Sequence, residues 1–100
     1  MTVKIITNDT GNPPGKLADA ELHFSGGPLD GLKLIGFTVW ERKKGDGRNV
    51  TFPARSYSMN GERRSFALLR PIMGDSTANT ELRERILTAY DEHVAAVAMA

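Results

Sequence analysis

Only one stretch of this chain has helical periodicity, and it comes last. Leu82, Ile86, Ala89, Tyr90, His93, Val94 and Val97 recur at the spacing of one helix face, whereas the residues before them alternate with a period of two or are punctuated by Gly and Pro. A single helix after a run of strands predicts the α+β class. The expected form is an antiparallel meander of about five strands with the C-terminal helix packed on one face. One hundred residues hold one such core, so 1–100 reads as a single domain.

The strands follow from local pattern. Val3 to Thr7 reads as the first, and Asn8 to Gly15, with Asn12-Pro13-Pro14-Gly15, as a loop whose order the composition leaves open. In the next strand Ala18, Ala20, Leu22 and Phe24 alternate with Asp19, Glu21 and His23, which assigns its packed face. Ser25-Gly26-Gly27-Pro28 ends it. Leu32 to Arg42 carries Leu34, Thr38 and Trp40 on one side and Ile35, Phe37 and Val39 on the other.

Lys44-Gly45-Asp46-Gly47 is a turn, Val50 to Ser56 a strand, Asn60-Gly61 a favoured hairpin turn and Arg64 to Ile72 the last strand. Pro53 gives a ladder no donor, so its strand is expected at an edge or bulged there. After Gly74, Asn79 or Thr80 is placed to cap the helix. The strands around Leu34 to Trp40 and Phe66 to Ile72 look apolar on both sides, and one helix shields one face. A second copy of the chain is the economical cover, which predicts a homodimer formed through the other face or an edge.

Several classes of chemistry lack their residues. The chain has no Cys, hence no disulfide and no thiolate nucleophile or ligand. His23 belongs to the polar side of a strand and His93 to the helix stripe, where a hydrogen-bonded packing role is expected, and no second metal ligand stands at the right spacing. Ser56, Ser58 and Ser65 have no nucleophile-elbow context, and no glycine loop precedes a helix. The expectation is a protein that is not an enzyme and uses no cofactor, metal or small-molecule substrate. With no apolar run of membrane-spanning length and no signal-peptide pattern, no membrane partner is expected and a cytoplasmic location is.

Charge is where the chain is unusual. The formal net charge is +1, yet Glu41 to Arg70 holds eight Lys or Arg against three acids, a local +5. A segregated cationic block creates a field for polyanions even on a nearly neutral molecule. Arg42, Lys43, Lys44 and Arg48 flank one turn, Arg63 and Arg64 flank the next, and Arg55 and Arg70 sit within strands. These are the candidate phosphate contacts, although charged hairpin turns are also ordinary solvated surface. Trp40 reads as a core residue, while Tyr57, between Ser56 and Ser58, fits either packing or base stacking. Arg83 and Arg85 lie among Glu81 and Glu84, where pairs such as Glu81 with Arg85 stabilise a helix.

Four segments carry a resemblance. Phe52-Pro53-Ala54-Arg55, Met59-Asn60-Gly61-Glu62, Arg70-Pro71-Ile72 and Asn79-Thr80-Glu81-Leu82-Arg83-Glu84-Arg85-Ile86 are similar, in order and nearly in spacing, to motifs of one family. It is the stage V sporulation protein G (SpoVG) family of septation regulators. The similarity covers about residues 15–92 and is most specific over 52–86. Arg70 stands where the family has His, and the turn from Lys43 to Arg48 is longer. The resemblance implies a cytoplasmic α+β homodimer that binds DNA or RNA as a regulator of transcription, septation or sporulation. It favours phosphate contact at the basic turns and makes Arg83 a second-rank candidate beside Tyr57 and Arg70. A different reading is a protein-interaction module that holds a partner chain on the edge near Pro53 or on an apolar sheet face, with no nucleic acid involved.

Overall fold

The computed structural model describes residues 1–43 and 47–99. Its elements are β1 (Thr2–Thr7), β2 (Lys16–His23), β3 (Lys33–Glu41), β4 (Arg48–Thr51), β5 (Ala54–Met59), β6 (Glu62–Ala67) and α1 (Thr77–Met99). The fold is α+β, as expected, with six strands in two antiparallel sheets: the meander β1-β2-β3-β4 and the separate hairpin β5-β6. Of the expected turn at Lys44 to Gly47, only Gly47 lies within the described residues.

The register stacks the core. Ile5 is opposite Ala20, which is opposite Phe37; Ala18 is opposite Val39, which is opposite Val50. Partners opposite one another share a face, and these six residues, with Leu22, are buried beneath Ile86 of α1. Leu82, Ala89 and Tyr90 of the helix stripe pack around them. Phe37, Val39 and Ile86 are completely enclosed, and burial of each stabilises the fold by about 1.5–3 kcal/mol. His93 completes the stripe by sharing a 2.9 Å hydrogen bond between its Nε2 and Thr7 Oγ1.

Strict alternation fails once in β3. Ala20 is opposite Phe37 but Leu22 is opposite Leu34, so β3 carries one extra residue between them. Gly36 takes that irregularity with φ of +107°, conformational space that side chains with a Cβ avoid. The bulge brings Leu34 onto the helix-facing side with Phe37 and Val39, contrary to the simple alternation, and leaves Ile35 exposed. Phe37 and Val39 facing inward turn Trp40 outward. It is not a core residue: half-buried on the open face, it donates a 2.9 Å hydrogen bond from Nε1 to Thr51 Oγ1.

The open face of the meander is mixed, with charged pairs set around the exposed Ile6 and the half-buried Trp40, which corrects the expectation that β3 sits in a sheet apolar on both sides. Lys16 pairs with Asp19 at 3.0 Å, and Glu21 is reached by His23 at 2.9 Å and Lys33 at 3.3 Å. The His23 hydrogen bond holds the Glu21 carboxyl below its ordinary range, burial opposing and Lys33 assisting.

Three further boundaries differ. The strand expected over Val50 to Ser56 is broken at Phe52-Pro53, where the chain leaves the meander and starts the hairpin. Pro53 is buried against Gly36, and its carbonyl accepts a 2.9 Å bond from the Leu68 amide. The last strand ends at Ala67, so Leu68 to Ile72 lie outside it. The helix starts at Thr77, earlier than a cap at Asn79 or Thr80 would place it. Asp75 Oδ1 accepts from Thr77 N at 2.8 Å and Thr77 Oγ1 at 2.7 Å, while the Ser76 carbonyl accepts the first helical bond from Thr80.

The loop before β2 is tied by one side chain. Asn8 Nδ2 donates to the Lys16 and Asn12 carbonyls at 3.0 and 3.2 Å, and its Oδ1 accepts from Thr10 Oγ1 at 2.8 Å. Among the described residues no helix is long and apolar enough to cross a membrane.

Candidate nucleic-acid interface

Asn60 and Gly61, with φ of +52° and +79°, form a two-residue turn of the kind that matches strand twist, and this sets the hairpin register. Tyr57 is opposite Arg64, Arg55 opposite Phe66, Met59 opposite Glu62, and Ser56, Ser58 and Ala54 opposite Ser65, Arg63 and Ala67. The pairing sorts the ribbon into two unlike faces. One bears Arg55, Tyr57, Met59, Glu62, Arg64 and Phe66; the other carries only Ala and Ser besides Arg63. Every residue of both strands is exposed. The hairpin stands off the body, consistent with a radius of gyration of 15.2 Å where about 13 Å is usual for a compact domain of this length.

On the first face the side chains touch. The Tyr57 and Phe66 rings lie 5.8 Å apart at a 54° tilt. The Arg70 guanidinium lies over the Phe66 ring at 5.8 Å and is steadied by a 2.8 Å bond from its Nε to the Ala67 carbonyl. Arg64 reaches Glu62 at 3.0 Å, but both side chains are more than half exposed, so the pair is worth about 0–1 kcal/mol. From Ala54 to Arg70 four Arg face one Glu, a local charge of +3.

The other expected cations fall elsewhere. Arg42 and Lys43 are exposed at the end of β3, lining a groove with Trp40, Pro14 and Gly15. Lys44 lies outside the described residues. Arg48 is engaged internally: strand pairing turns it toward α1, where its guanidinium pairs with Asp91 and lies 5.2 Å over the Tyr90 ring. It is therefore not a free phosphate contact. Arg83 is half-buried over the Phe52 ring at 5.3 Å, at the root of the hairpin and away from its exposed faces. Arg85 donates to the Met1 carbonyl at 3.3 Å instead of pairing with Glu81.

The structure thus places the basic residues in two groups, Arg42 with Lys43 at the end of β3 and the arginines of the hairpin. The first has the half-buried Trp40 beside it, and the second is interleaved with the exposed rings of Tyr57 and Phe66. Phe66 is the residue that sequence reasoning missed as part of a site; counting outward from Asn60-Gly61 puts it on the Tyr57 face, so the signal was present in the turn. No protein-family model matches this chain, and no curated protein or solved structure is significantly similar to it.

Proposed function

We propose that this chain is a homodimeric nucleic-acid-binding regulatory protein whose hairpin β5–β6 grips the phosphate backbone. The observation that carries the reading is the hairpin itself: an arm exposed on both faces, with Arg55, Arg63 and Arg64 along it, Arg70 at its base and a single acid among them. Forked guanidiniums hold phosphate oxygens bidentately, and each phosphate neutralised releases counterions. The resemblance of residues 52–86 to the SpoVG family points the same way. Arg42 and Lys43 are a second, peripheral contact on this reading.

Two-fold assembly has its own support. A two-stranded hairpin is marginal alone, and the segment after it leaves Leu68, Ile72 and Met73 in solvent, Ile72 almost fully. A second copy covering this region would bury apolar surface and set two cationic arms side by side. Sedimentation at micromolar concentration should give a dimer; a clean monomer removes this part of the proposal.

Fluorescence anisotropy of a labelled oligonucleotide across a salt series tests the binding. Affinity should fall as salt rises, by about 0.7 to 0.9 log units per log unit of salt for each phosphate contacted. Replacing Arg55, Arg63 and Arg64 together with Ala should weaken binding to many sequences and flatten that slope. The competing reading of a protein-interaction module draws on the same exposed Ile72 and Met73. It predicts salt-insensitive capture of a protein partner and no shift of any nucleic-acid probe.

A further inference from the structure

We infer that the aromatic face of β5–β6 binds single-stranded nucleic acid, with Tyr57 and the Phe66–Arg70 pair as stacking platforms for unpaired bases. The inference deepens the proposal that this hairpin grips phosphates and rests on it. Within a duplex the π-faces of bases are consumed by stacking on one another, so exposed aromatic side chains have nothing to receive there except at an end. Unpaired bases present those faces, and aromatic rings and guanidinium planes are the groups that take them.

The arrangement suits that ligand in three respects. Tyr57 and Phe66 are each 38% exposed although they touch, because their rings meet at a tilt and not face to face. The Arg70 plane over Phe66 adds a second stacking surface that carries charge. Arg55 and Arg64 lie directly across the ribbon from Phe66 and Tyr57, so each ring has a cation beside it for the phosphate attached to the stacked base. Charge complementarity thus favours a polyanion over an apolar partner on this face.

The ribbon's other face offers the contrasting mode. A two-stranded ribbon can enter the major groove of a duplex and read base edges with short polar side chains, here Ser56, Ser58 and Ser65 beside Arg63. That mode leaves Tyr57 and Phe66 without a role. The two modes therefore predict opposite sensitivities.

The test compares three probes across a salt series: an oligodeoxythymidylate, the oligouridylate of equal length, and the duplex of the first with its complement. The wild-type chain should bind at least one of the single strands about tenfold or more tighter than the duplex. The two single strands differ in the 2′-hydroxyl and the thymine methyl, and their comparison shows which of the two is preferred. Tyr57→Ala and Phe66→Ala should each weaken single-strand binding about tenfold with the salt slope unchanged, since a lost stack is not a lost phosphate contact. Tyr57→Phe, which keeps the ring, should bind as wild type. All three variants are checked for unchanged folding by circular dichroism. Duplex binding as tight as single-strand binding, or alanine variants that bind normally, overturns this inference while leaving the phosphate-gripping arm intact. Failure of all three probes to bind overturns both.

Discussion

Gly36 is the residue on which the meeting of the two sheets turns. Its φ of +107° is strained for any other residue, and a Cβ built there would lie 3.0 Å from the Pro53 Cβ. Gly36→Ala should therefore cost about 1–3 kcal/mol, seen as a lower urea midpoint with an unchanged slope. In the core, Ile86→Ala should cost about 2–5 kcal/mol and Ile86→Val about 0.5–1.5, because Ile86 is the one fully enclosed side chain that α1 sets on the sheet. Asp75 makes a pH-dependent prediction. The Thr77 hydroxyl and then the Thr77 amide hold its carboxyl below the ordinary value. A depressed folded pKa means the stabilisation is present above the unfolded value and is lost as pH falls through the folded one. The Thr77 amide resonance should accordingly move, and its exchange protection drop, only at acidic pH. An Asp75→Asn variant should show no such transition.

At the scale of elements, the parts governed by local chemistry were legible in advance. Alternation in β2 exposed Ala18, Ala20 and Leu22 as its packed face, Asn60-Gly61 set the hairpin, and helical spacing picked out Ile86, Tyr90 and His93. What escaped depends on partners distant in the chain. The bulge at Gly36 exists only against β2, and proline at position 53 forbids a ladder bond without saying whether the strand bends or leaves the sheet. Arg48 looks like a turn cation until Asp91 and Tyr90, far along the sequence, are folded onto it. The division has a consequence for stability. Every core side chain belongs to β1–β4 or α1, and none to the hairpin. Alanine at Arg55, Arg63 or Arg64 should shift the unfolding midpoint by no more than about 0.5 kcal/mol equivalent. Binding and stability should thus separate cleanly in this molecule.

At the scale of the whole molecule, a nearly neutral chain concentrates positive charge on an arm that its own core does not bury. A net charge of +1 gives little long-range attraction for a polyanion, whereas a local +3 on an exposed ribbon creates a positive field there; on the proposed dimer, two such arms would enlarge it. The rest of the chain sums to −2, and on the open sheet face Glu21 and Asp19 are tied into ion pairs. The most direct measurement is an amide chemical-shift titration of the labelled protein with a single-stranded oligonucleotide. Perturbations should cluster between Ala54 and Arg70, with smaller ones at Arg42 and Lys43, and should vanish at high salt. Shifts centred on the open face of the meander, or none along the hairpin at saturating oligonucleotide, would contradict the assignment.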